Sequence, residues 1–232
     1  MPRLQLPESG EPQRRWTPPK ERPAKAAGGT MQEGQAIADK TPRTERGRRT
    51  LRKLLEAAAQ EFGTRGYHDA AITGITARAG VALGSFYTYF ESKEAVFRAL
   101  VRDMSQAVRS HVAEAVKDAP DRLAAERTGL AAFIAFTRKH PELYRIIEEA
   151  QFVAEDVYRQ HYLTFVDGYR RNLSAARSRG EISDGPDELR AWMLIGMSVF
   201  LGMRYGIWDK DLSPDQVADE TIRFISEGLA VR

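Results

Sequence analysis

Gly80 separates two short helical patterns, and residues 79–93 around it most limit what this chain can fold into. Ile72, Ile75 and Ala79 recur at helical spacing and stop at Gly80, the residue best able to take the left-handed conformation that ends a helix. A second helix starts at once. In it Val81, Phe86 and Phe90 can turn inward, which leaves Leu83, Gly84, Ser85, Tyr87, Thr88 and Tyr89 on the outer side. Two helices joined by a short glycine turn, the second one exposed, read as a helix-turn-helix unit whose second helix can enter a major groove. An ordinary helical hairpin in a bundle core is the other reading of this pair alone.

Upstream, Leu51, Leu54, Leu55, Ala58 and Phe62 follow the pattern of a helix buried along one side, and Gly66-Tyr67 ends it, so the unit has three helices. Taken together, Leu54-Leu55-Glu56-Ala57-Ala58, Phe62, Gly66-Tyr67, Ile72, Ile75, Ala79-Gly80-Val81, Gly84, Phe86-Tyr87, Tyr89-Phe90 and Lys93-Glu94 resemble the DNA-binding domain of the TetR family of transcriptional regulators. The resemblance runs from Thr50 to roughly Leu100. It departs from the family pattern at Ala70, Ala71, Gly74, Thr76 and Ala82, changes that remove hydroxyls able to touch phosphate or cap a helix. With the outward positions, it implies that Tyr87, Tyr89 and Lys93 meet phosphates, and that Ser85 and Thr88, with Leu83 as an apolar contact, face base edges. Thr73 joins this DNA-binding set. Arg46, Arg48 and Arg49, with Arg43, immediately precede the first helix and are expected along phosphates or in a minor groove.

Charge is uneven along the 232 residues: eleven Lys/Arg against six Asp/Glu through Thr50 make +5, and the whole chain is +3, so residues 51–232 sum to −2. The basicity therefore sits beside the reading unit. Residues 1–42 hold seven of the eleven prolines and few large apolar groups, a composition expected to stay disordered as a basic, proline-rich tail. With no cysteine there is no disulfide, thiol nucleophile or cysteine-ligated zinc, and His68, His111, His140 and His161 lack metal-ligand spacing. No signal-peptide core opens the chain, and the longest apolar run, Ala191 to Met203, is too short to span a bilayer, so a soluble cytoplasmic protein with no membrane partner is expected.

Beyond Phe90 every segment reads as helix: Lys93 to about Val116, Asp121 to Lys139, a short helix after Pro141, about Glu155 to Ser178, Pro186 to Trp208, and Ser213 to Leu229. No run alternates with period two, so the fold class is all-α. No catalytic residue, metal site or cofactor is expected. Adjacent Glu148 and Glu149 point about 100° apart on a helix and read as a solvated face.

Tyr158, His161, Tyr162, Phe165 and Tyr169 form one helical stripe. Such a stripe serves either as core or as cavity lining, and its polar tips favour the cavity. Phe133, Phe136, Tyr144, Met193, Met197, Phe200 and Arg204 are expected to face it, with Arg204 or His161 meeting the polar end of a small apolar or amphipathic ligand; an acidic side chain of the same or the other subunit is the alternative partner for Arg204. On the other side of the penultimate helix Ile195, Val199, Gly202 and Gly206 form a small-residue strip, read as a homodimer interface, and the TetR resemblance places the dimer contact on the last two helices.

The organisation expected is a tail over residues 1–42, a three-helix helix-turn-helix DNA-binding head over residues 43–97 and a larger helical ligand-binding and dimerisation bundle over residues 98–232. The function expected is a homodimeric TetR-like repressor that binds a two-fold operator on double-stranded DNA and is released by a small ligand. A dimeric regulator without a ligand, and a helical carrier or enzyme that does not bind DNA, are the alternatives.

Overall fold

Thr44 opens the first helix, its Oγ1 accepting from the Gly47 N–H at 3.1 Å, so that helix begins a turn and a half before its apolar pattern does. The computed structural model describes Pro42 and residues 44–228. The expected tail up to residue 41, Arg43 and the expected helix end at Leu229 lie outside the described residues. Within them the helices are α1 (Glu45–Asp69), α2 (Ile72–Ala79), α3 (Leu83–Tyr89), α4 (Lys93–Val116), α5 (Arg122–Lys139), α6 (Glu142–Val153), α7 (Glu155–Ser178), α8 (Asp187–Gly202) and α9 (Pro214–Glu227). There is no strand among the described residues, and the fold is all-α.

Two punctuation marks shape the head. Gly80 takes φ 65° and lets its N–H close back on Ala77 and Thr76 carbonyls, which ends α2 and turns the chain into α3. Gly66 takes φ 79° inside α1 and kinks it just before Tyr67. Between the first two helices the Glu61 carboxylate, 3% exposed, is held by Arg78 Nε at 2.7 Å and Arg65 Nε at 3.2 Å, which ties α1 to α2.

The core does not stop where the head does. Leu54, Phe62, Ile75, Phe86 and Phe97 belong to the same buried cluster as Leu143, Ile146, Ile147, Ala150 and Val157 of the body. α4 spans the expected boundary between residues 97 and 98, while α6 lies against α1. Two smaller clusters complete the body: Leu130, Ile134, Val217 and Ala218 join α5 to α9, and Val166, Leu173, Ala191 and Ile195 join α7 to α8. The helix expected to run unbroken to Trp208 stays α-helical only to Gly202 and continues as a π-helix over Met203–Trp208. α9 starts with the capping box that Ser213 and Gln216 make together, with Pro214 at its first turn.

Tyr67 marks the place where these parts meet. Its ring lies 5.0 Å from Phe97 and 5.9 Å from Phe62, Lys93 Nζ stands 4.6 Å over it, and its N–H donates to Glu149 Oε2 at 2.7 Å. Lys93 Nζ also donates to the carbonyls of Tyr67, His68 and Ala70 at 2.8, 3.1 and 3.1 Å, groups left open by the end of α1. Lys93→Met should therefore lower unfolding free energy by on the order of 1–3 kcal/mol, read as a shifted urea midpoint at unchanged slope. An unshifted midpoint would mean those carbonyls find other donors.

Candidate nucleic-acid interface and internal cavity

α3 is anchored from below and open above. Phe86 is fully buried and Phe90 is 6% exposed, their rings 5.6 Å apart, whereas Leu83 is 45% and Tyr87 50% exposed on the outer side. Thr88 is exposed and its hydroxyl donates back to the Gly84 carbonyl at 3.3 Å; Ser85 and Tyr89 are half-buried; Thr73 stands exposed at the start of α2. The caps of α2 and α3, Ala71 and Ala82, offer no side-chain acceptor.

Two basic assignments change. Arg46, Arg48 and Arg49 do not precede the first helix but form its first turn, because Thr44 starts it early. A Cβ at Gly47 would stand 3.6 Å from Tyr89 Oη, so this turn flanks the end of α3. Arg48 and Arg49 pair with Glu45 at 3.0 and 3.2 Å, exposed ion pairs worth about 0–1 kcal/mol and open to exchange for phosphate. Lys93, expected at a phosphate, is instead committed to three carbonyls at the end of α1, since the first residue of α4 packs directly under that turn.

Helices α4 to α8, with Met203 of the π-helix, line a partly open cavity of about 550 Å³. Phe133, Tyr144, Tyr158, His161, Tyr162, Phe165 and Phe200 line it, as does Tyr169, so the whole aromatic stripe of α7 faces this space. The other four expected lining residues do not. Phe136 packs between the rings of His111 and His140, 5.3 and 4.4 Å away. Met193 is 55% exposed on the far side of α8, and Met197 is half-buried outside the cavity wall. Arg204 pairs with Asp209 at 2.9 Å and lies 3.6 Å from Asp211, so its anions come from the loop after the π-helix.

The small-residue strip is also turned around. Ile195 is 6% exposed and, with Val199, lines the cavity. A Cβ at Gly202 would stand 2.5 Å from both Phe133 Cε1 and Tyr144 Oη, and one at Gly206 would stand 2.2 Å from Thr137 Oγ1. These positions let α8 and the π-helix press onto α5 and α6 of the same chain and cannot form an interface with a second one. The outward face of α8 carries Leu189, Trp192 and Met193, which are 52%, 42% and 55% exposed, and Phe200, 67% exposed, stands between this face and the cavity it also lines.

Several polar groups around the cavity are bound to one another, while Arg122 Nε and Glu126 Oε1 are buried without a hydrogen-bond partner among the described residues. Tyr144 donates to the Val199 carbonyl at 2.6 Å, and burial pushes its phenol well above its ordinary range. Arg122 pairs with Glu126 at 2.9 Å at the far wall; burial raises the Glu126 carboxyl, while Arg122 and a bond from Tyr169 oppose that rise. His161 Nδ1 lies 2.9 Å from Ser105 Oγ, and burial, with the Arg109 charge second, lowers its pKa to about 4.

Sequence reasoning passed over Arg109, Arg122 and Glu126, although Ser105 and Arg109 sit inside the inward stripe of Met104, Val108 and Val112, a polar interruption visible in the sequence. Glu149, read as part of a solvated face, instead accepts from Tyr67 and Arg145, and Arg145 donates to the Gly63 and Thr64 carbonyls at 3.2 and 3.0 Å. No helix among the described residues is long and apolar enough to cross a membrane.

Comparison with known proteins follows the same division into head and whole. Residues 54–100 match the model for bacterial regulatory proteins of the tetR family. The HTH-type transcriptional regulator YdgC of Bacillus subtilis is 47% identical over 64 residues, 28% of this chain and 33% of its own length, so the match spans a third of that relative. The HTH-type transcriptional activator FasR of Mycolicibacterium smegmatis is 27% identical over 201 residues, 85% of this chain and 89% of its own. The fold is shared with the transcriptional regulator FadR from Bacillus subtilis, crystallised in complex with stearoyl-CoA, at TM-score 0.67 and 16% identity, covering 77% of this chain and 99% of that one.

The depressed His161 pKa has a consequence for stability. Between about 4 and 6.5 the unfolded chain binds a proton at this ring that the folded chain does not, so this contribution to stability is present above pH 6.5 and is lost as pH falls toward 4. From pH 7 to pH 5 the loss should be about 2 kcal/mol. Urea unfolding of His161→Gln should lack that component, and an unchanged pH profile in the variant would show that the ring titrates normally.

Proposed function

Because this chain belongs to the tetR family of bacterial regulatory proteins, we propose that it is a homodimeric transcriptional repressor. It leaves a two-fold operator when a small, mostly apolar ligand enters the body. The observation that carries this reading is the pairing of an outward, firmly anchored α3 with a 550 Å³ aromatic cavity in one continuous core. A volume of that size falls within the range of small-molecule sites.

On this reading Tyr87 and Tyr89 touch phosphates, Thr88 and Ser85 face base edges with Leu83 beside them, and Thr73, Arg46, Arg48 and Arg49 add backbone contacts. Two recognition helices must lie about 34–36 Å apart to meet successive major grooves, so a dimer is required. The outward apolar face of α8, at Trp192, Met193 and Phe200, supplies the surface for it, in place of the glycine strip.

Ligand binding reaches the head along two helices. α4 begins under the head and lines the cavity further on with Val108, Arg109 and Val112. α6 lines the cavity with Leu143, Tyr144 and Ile147, while Arg145 and Glu149 of the same helix grip the end of α1. A ligand shifts the head only through its differential affinity for the two arrangements.

The test is operator binding on the intergenic DNA beside the gene. Thr88→Ala should alter preference at one base pair by about 1–3 kcal/mol, and Arg46→Ala should reduce the salt slope by about one unit. Full operator retention by a folded Tyr87→Ala, Arg46→Ala double variant would remove the DNA-reading assignment. Trp192→Glu combined with Phe200→Glu should give a monomer in sedimentation that has lost operator affinity; a dimer surviving both changes would place the interface elsewhere. The name of FasR favours a second mode, activation; a promoter reporter that falls silent, instead of rising, on deletion of the gene selects it.

A further inference from the structure

If the cavity holds the effector, as proposed above, its charge balance indicates which kind of molecule enters. Four charged side chains line it: Arg109, Arg122, Glu126 and Glu148. Arg122 and Glu126 neutralise each other at 2.9 Å, and Glu148 is exposed to solvent. Arg109 is different. Its Nη1 donates to Ser105 Oγ and its Nη2 to Gln106 Oε1, both at 2.6 Å, and both acceptors are neutral. Its guanidinium carbon stands 5.8 Å from the centre of the Phe165 ring. Among the described residues no carboxylate pairs with it, and burial alone lowers its pKa. A guanidinium has five N–H donors and keeps its charge in a protein, so an arginine held this way has donors and positive charge to offer an anion.

A second donor stands beside it. Ser105 Oγ, 4% exposed, accepts from Arg109, so its own proton is available to His161 Nδ1 at 2.9 Å. With the Ser105 proton on that bond, His161 carries its own on Nε2. The ring stays neutral at physiological pH, and it lines the cavity next to Phe165. Around this polar corner the wall is apolar, with Phe133, Ile147 and Val199.

We infer that the effector is an anion-headed amphiphile, a carboxylate or a phosphate ester on an apolar chain, and that Arg109 binds its charged group with His161 as the second donor. The apolar chain then lies along Phe133, Ile147 and Val199. Arg204, outside the cavity, takes no part.

Calorimetric titration of the full chain with dodecanoate, dodecyl phosphate and methyl dodecanoate tests this, with operator release followed in parallel. The better of the two anions should bind wild type at least about tenfold more tightly than the neutral ester, the effect of a charge-assisted hydrogen bond, and the preferred anion identifies the head group. Arg109→Gln should weaken the anions by about tenfold or more and leave the ester within about twofold, and Arg109→Lys should recover part of the loss. Equal binding of ester and anions by wild type overturns the inference without any variant, and so does an Arg109→Gln change that weakens ester and anions alike. If the ester alone binds and releases operator, only this inference fails. If none of the three binds or releases operator, the cavity is not an effector site and the ligand-release reading falls with it.

Discussion

Where α1 kinks at Gly66, its last carbonyls and the Tyr67 N–H need partners, and the chain supplies them from two distant helices. Lys93 at the start of α4 donates to three carbonyls, and Glu149 on α6 accepts from the Tyr67 N–H. A helix end buried without such partners is costly, so this junction fixes the position of α4 and α6 against the head. The aromatic contacts of Phe62, Tyr67 and Phe97 fill the space beneath it. The cavity is tied to that junction, because α4 and α6 also supply part of its wall. One set of polar contacts thus serves both the integrity of the head and its connection to the interior.

α8 shows how an apolar helix can serve two neighbours. Glycines and β-branched residues on one side let it approach α5 and α6 of its own chain, where Gly202 leaves room for Phe133 and Tyr144. Trp192 and Met193 cover the other side and remain exposed, and Phe200 stands between the two. Helical periodicity divides such a sequence into two faces correctly, yet it carries no label for which face belongs to the chain's own core. Small residues suit close approach in either setting. Gly202 and Gly206, assigned to a partner, face α5 and α6 of the same chain, and Met193, assigned to the cavity, is exposed on the far side; only the positions of α5 and α6 decide it.

The cavity owes its character to polar groups that stay bonded to one another. Tyr144 to Val199 and Arg109 through Ser105 to His161 satisfy donors and acceptors that would otherwise be buried alone. The remaining surface is apolar, so the space is selective at its few polar points.

Much was determined by the sequence alone. The three helices of the head, the glycine turn at Gly80, the inward Phe86 and Phe90, the α7 stripe and most helix ends are local matters of spacing, capping and backbone freedom, and each is written in neighbouring residues. Arg109, Glu149, Lys93 and Arg204 were another matter. Arg109 meets the Phe165 ring of α7, and the partners of the other three lie on another helix or past a break, so no periodicity records which group will arrive there. Tertiary structure decided their roles, because a charge half-removed from water takes whichever counter-group the fold brings within reach.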